Sequence, residues 1–145
     1  MSALKRILGI VLVATAIVVG VNWVITPIHH DGDKAYPVWK VVNWFMAFSV
    51  LVALIANIAR KRAVGSEGAN SPITREYLEA NVAFYASLLL APWFFTNFLT
   101  YDFFMGNIPP AGVAAKDVWW EFIDGMFILV VGSTGCHLWS GASDS

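Results

Sequence analysis

Apolar residues occupy this chain in four long blocks, Ile7 to Ile25, Val38 to Ala59, Ala80 to about Tyr101 and Val118 to Trp139, with short polar stretches between them. A helix rises about 1.5 Å per residue, so about 20 such residues cross a hydrocarbon core roughly 30 Å thick. The pattern therefore predicts an all-α integral membrane protein. Four transmembrane helices are expected at about 5–26, 38–60, 72–101 and 118–139, in an up-down bundle that forms one membrane domain over residues 1–145.

The ends of the blocks carry their own signals. Lys5 and Arg6 precede the first, which makes a signal peptide one reading, and Ala14-Thr15-Ala16 has the small-x-small form of a cleavage site. The apolar run continues about nine residues past that point, so an uncleaved transmembrane helix ended by Pro27 is expected. Gly32 and Pro37 mark the connection that follows as a turn. Arg60-Lys61-Arg62 should end the second helix, and the small, polar residues Ala63 to Asn70 read as a flexible loop. Ser71-Pro72 has the form of a helix cap followed by proline in the first turn, with Glu76 and Glu79 near the positive helix end. Pro92 deprives the Leu88 carbonyl of its usual donor and predicts a kink in the third helix. Pro109, Pro110 and Gly112 break the longer third connection.

Composition agrees with lipid as the solvent: 58% of residues are hydrophobic, 13% are charged, and mean hydropathy is +0.64. Soluble domains are about a quarter charged. A net charge of −1 offers no global attraction to nucleic acid. Six basic residues, Lys5, Arg6, Arg60, Lys61, Arg62 and Arg75, flank one side of the blocks; three, Lys34, Lys40 and Lys116, flank the other. The positive-inside rule then places the N- and C-termini in the cytoplasm, and the expected location is a bacterial inner (cytoplasmic) membrane, crossed several times. The outer side is acidic, and Trp23, Trp39, Trp44, Trp119 and Trp120 suit an interfacial aromatic belt there. Small residues that permit close helix approach are Ala16 and Gly20, Ser49 and Ala53, and Gly125, Gly132 and Gly135.

Polar residues inside the apolar blocks are the first candidates for chemistry. Asn22, Asn43, Asn97, Glu121 and Asp124, with Thr96 and Thr100, fall at similar depth near the outer ends of the four helices. Glu121 and Asp124 are three apart and should share a face, and Glu121 also shares a stripe with Gly125, Gly132 and Gly135. One reading is a proton, cation or head-group site; the other is interhelical hydrogen bonding, with Glu121 solvated at headgroup depth. His29, His30, Asp31 and Asp33 form a second cluster, able in type to hold copper, zinc or iron. His137 is the candidate for single-histidine ligation of heme or a chlorin, whereas a bis-His heme would need histidines on opposite sides of the membrane. Lys61 with Arg60 and Arg62 suits anionic lipid.

One cysteine, Cys136, excludes an internal disulfide, a CxxC pair and a four-cysteine zinc site. There is no Gly-rich phosphate loop, HExxH or GxSxG. The expected function is therefore a small non-catalytic accessory subunit of a larger membrane complex, with bound lipid and other membrane subunits as partners; the sequence specifies no cofactor. Tyr101, Phe103, Phe104, Met105 and Ile108 would offer such a partner an apolar loop. A metal- or cofactor-binding redox subunit built on the His/Asp cluster is one alternative. A small ion- or proton-coupled transporter built on Glu121 and Asp124 is the other.

Overall fold

The computed structural model describes residues 2–29, 37–65, 74–100 and 113–141. These residues form four helices, α1 (Ser2–His29), α2 (Pro37–Gly65), α3 (Arg75–Asn97) and α4 (Val113–Ser140). Each is long and apolar enough to span a membrane, over Ala3–Thr26, Val38–Gly65, Arg75–Thr100 and Trp119–Ser140, the arrangement of a multi-pass membrane protein. The last of these has a mean hydropathy of only 1.4, against 2.4 for the first. It carries Glu121 and Asp124, the two carboxylates to be explained.

The helix ends differ from expectation in ways the backbone explains. α1 passes through Pro27 to His29, because a proline so near the end removes one donor without turning the chain. α2 runs through the basic triplet to Gly65, and Arg62 lies in its last turn, where cations offset the helix dipole. α3 starts at Arg75 rather than at residue 72. Thr74 is extended (φ −89°, ψ 159°), and its side chain accepts a hydrogen bond from the Tyr77 N–H at 3.2 Å, so Thr74 is the cap. Ser71 and Pro72 lie outside the described residues. Pro92 is accommodated inside α3, which closes in a π-helical turn at residues 98–100. α4 begins at Val113, five residues before the expected 118.

α1 packs chiefly on α4, and α2 chiefly on α3; α3 on α4, α1 on α2 and α2 on α4 join the two pairs. In the first pair Gly9 meets Gly135 and Trp139, Gly132 meets Ala16, and Gly20 meets Ile128, so the helices run antiparallel. In the second, Trp44 meets Phe98 and Arg60 meets Glu79, again antiparallel. Glycine makes the first contact possible. A methyl on Gly9 would lie 2.8 Å from the Gly135 oxygen, and one on Gly135 would lie 2.9 Å from the Leu12 Cβ. Beyond these glycines the contact relaxes to ordinary van der Waals distance. A methyl on Gly132 would be 3.6 Å from Ala16, one on Gly20 3.5 Å from Ile128, and one on Gly125 would meet nothing within 4 Å.

Between the pairs lies one core: Leu12 and Val19 from α1, Met46, Val50 and Ala53 from α2, Leu90, Phe94 and Phe98 from α3, and Ile123, Phe127 and Val131 from α4. Lipid is as apolar as these side chains, so their packing acts through close van der Waals fit rather than transfer from water. Phe94 anchors one end: it stacks on Phe98 at 5.6 Å and meets Trp120 edge-on at 6.1 Å. Trp93 meets Trp119 at 5.3 Å in the same region. This aromatic end holds the Asn, Glu and Asp residues singled out above.

Candidate functional site

The helices sort the five polar candidates of the aromatic end by burial. Asn43 and Asp124 are buried, at 6% and 5% exposure; Asn22 and Asn97 are half-buried; Glu121 is exposed. Positions three apart on a helix differ by about 60° around its axis. That is enough to put Asp124 on the core side of α4, between Ile123 and Phe127, and Glu121 on the outside. The expected shared face is thus split. The glycine stripe is also shorter than expected: Gly132 and Gly135 face α1, but a methyl on Gly125 would meet nothing within 4 Å, and Glu121 faces outward.

Hydrogen bonding separates the candidates further. The Asn97 amide donates to the Trp93 carbonyl of its own helix at 2.9 Å. That carbonyl would normally receive the N–H of residue 97, so the side chain reinforces the turn just past Pro92. The Asn22 Nδ2 and the Asp124 Oδ1 are buried and have no hydrogen-bond partner among the described residues. Leaving a carboxylate oxygen unpartnered in a bundle core is costly, and ionisable groups in that position mark functional sites by default. Thr96 is exposed.

Sequence reasoning missed a second polar site, at the opposite end of α2 and α4. Asn57, 1% exposed, donates from Nδ2 to the Thr134 hydroxyl at 2.9 Å, and that hydroxyl donates to the Val130 carbonyl at 2.7 Å. Asn57 stands inside the apolar run of α2, so the criterion that selected Asn22 and Asn43 would have found it. One turn further, Arg60 reaches Glu79 at 3.2 Å, and Arg75 reaches the other oxygen of the same carboxylate at 2.7 Å. Glu79 thereby ties α2 to the first turns of α3. The Lys61 ammonium sits over the rings of Phe84 and Tyr85, at 4.0 and 4.1 Å.

Among the described residues no group of three or more His, Cys, Asp or Glu could hold a metal ion. His30, Asp31 and Asp33 lie outside the described residues, as does the side chain of His29. The apolar loop residues Tyr101, Phe103, Phe104, Met105 and Ile108 lie outside them too. His137 is exposed in the last turn of α4, next to the exposed Cys136.

A groove of about 400 Å³ runs along the outside of the α1/α4 pair. Ala16, Gly20 and Gly132 form its floor, Ile17 and Ile128 its walls, and Cys136 lies on its rim. The groove exists because the small residues that bring α1 and α4 together leave no side chains to fill the surface above them. No known protein family, curated protein or solved structure matches this chain.

Proposed function

We propose that this protein is a small, non-catalytic accessory subunit that docks on another membrane protein through the α1/α4 face. The observation that carries the reading is the groove floored by Ala16, Gly20 and Gly132. In lipid, helices associate where small residues let backbones approach, and a third transmembrane helix fits such a surface better than mobile acyl chains do. The four helices traverse the membrane as an up-down bundle with both termini on the cytoplasmic side. The antiparallel α1/α4 and α2/α3 contacts and the six-to-three partition of basic residues support that topology.

Cys136 provides the test, since it is the sole cysteine and is exposed at the groove. A thiol-reactive photo-cross-linker on Cys136, activated in native membranes, should join this chain to one different polypeptide. Ile17→Trp, at an exposed wall position, should abolish the adduct and leave the fold intact. Adducts only to lipid, or only between copies of this chain, would refute the accessory reading.

Asp124 favours a second reading, a proton- or cation-coupled transporter. A buried carboxylate with an unpartnered oxygen in a membrane-spanning segment is the kind of group that exchanges a proton or cation during transport. In proteoliposomes Asp124→Asn should abolish coupled ion movement while the protein still folds; unchanged flux would dismiss this role.

A further inference from the structure

A second groove, of about 610 Å³, lies between α2 and α3 at the basic end of the bundle, lined by Ile58, Lys61, Arg62, Gly65, Phe84 and Leu88. Its chemistry changes along its length. At one end stand two cations, Lys61 and Arg62. Phe84 lies under the Lys61 ammonium, and about one helical turn away, roughly 5.4 Å, the lining is Ile58 and Leu88. Gly65 leaves the cationic end open, since a side chain there would meet nothing within 4 Å.

The cations of this end are not equivalent. Arg60 and Arg75 are engaged by Glu79. Lys61 and Arg62 have no carboxylate partner among the described residues, and Lys61 is held in place by the faces of Phe84 and Tyr85. That arrangement positions an ammonium without neutralising it. Across the whole end, the described residues carry six basic side chains (Lys5, Arg6, Arg60, Lys61, Arg62, Arg75) against two acidic ones (Glu76, Glu79). The excess favours an anion. The step from paired cations to an apolar floor that opens on two membrane-length helices matches the step from phosphate to acyl chain. A free anion would use only the upper part of the groove.

We infer that the α2/α3 groove binds one anionic glycerophospholipid, with Lys61 and Arg62 holding its phosphate and Ile58 and Leu88 seating an acyl chain. The inference rests on α2 and α3 lying in a bilayer and is independent of the α1/α4 docking reading. A cation near an anionic headgroup is worth about fivefold in affinity, so losing both should weaken binding about 30-fold.

The test uses the full chain purified in a non-ionic detergent, with thermal unfolding followed during titration of dioleoylphosphatidylglycerol, dioleoylphosphatidylcholine or inorganic phosphate. Phosphatidylglycerol should raise the melting temperature saturably; phosphatidylcholine and inorganic phosphate should not. The Lys61→Gln/Arg62→Gln double variant should need about 30-fold more phosphatidylglycerol for the same shift. Lys5→Gln/Arg6→Gln removes the same charge from α1 and should bind within about twofold of wild type. Leu88→Trp keeps every charge, fills the groove floor and should also weaken binding, which supplies the test if the double variant fails to fold. An equal response to phosphatidylcholine, a shift with inorganic phosphate alone, or equal losses from the α1 and α2 double variants would each overturn the site.

Discussion

The Gly9–Gly135 contact makes the sharpest quantitative demand on this structure. In Gly9→Ala the new methyl would fall 2.8 Å from the Gly135 oxygen and 2.9 Å from the Trp139 nitrogen. Both are backbone atoms, so no rotamer change relieves the overlap and the two helices must separate. Overpacking of this kind costs about 1–3 kcal/mol. Alanine in place of a helical glycine returns about 0.5–1 kcal/mol through lower backbone entropy in the unfolded chain. The net expectation is a loss of up to about 2.5 kcal/mol. Gly125→Ala is the matched control, because its methyl would meet nothing within 4 Å. It should stabilise by about 0.5–1 kcal/mol. Reversible unfolding in mixed micelles of increasing dodecyl sulfate, followed by circular dichroism, measures both. If Gly9→Ala and Gly125→Ala shift stability equally, or if Gly9→Ala stabilises, then α1 and α4 do not meet backbone to backbone at these glycines.

Three further perturbations probe other contacts by the same unfolding measurement. Thr134→Val strands the buried Asn57 amide and should cost about 1–3 kcal/mol, whereas a double-mutant cycle with Asn57→Leu should return a coupling of about 0.6 kcal/mol, since partners are also found in the unfolded-in-membrane state. Thr74→Ala should lower stability by about 0.5–2 kcal/mol through loss of the α3 cap, and Thr74→Ser should restore most of it. Glu79→Gln breaks two exposed ion pairs and should cost less than about 1 kcal/mol, with the difference from wild type shrinking at high salt; a larger, salt-independent loss would mean that the carboxylate is structurally buried.

The number and type of the elements were legible because the apolar blocks are membrane-length and polar stretches interrupt them. The ends were less so. Pro27 and Arg60-Lys61-Arg62 read as stops, but a proline in a last turn and cations at a helix C-terminus are both compatible with continuation. Thr74 was overshadowed by Ser71-Pro72, although its extended backbone makes it the cap. At the aromatic end, which residues are polar is plain from the sequence, but which way they face depends on the approach angle of α1, and that separates Asp124 from Glu121. Gly9 and Asn57 were legible in principle. Gly9 lies seven residues before Ala16 and eleven before Gly20, on the same side of α1, and Asn57 interrupts an otherwise apolar stretch of α2.

The glycine contacts between α1 and α4 tighten towards one end only, which gives the pair the mechanics of a lever. Its fulcrum is where Gly9 and Gly135 touch. From there α1 extends about 21 Å to Trp23, and beyond the glycines it meets α4 through side chains at ordinary contact distance. A rock of about 5° about that pivot would leave the basic end still and displace the Trp23 end by about 2 Å. Such a rock would be largest at the level where Asn22 and Asp124 hold their unpartnered polar atoms. Spin labels paired across α1 and α4 should record it as a distance distribution that broadens steadily from Gly9 towards Trp23.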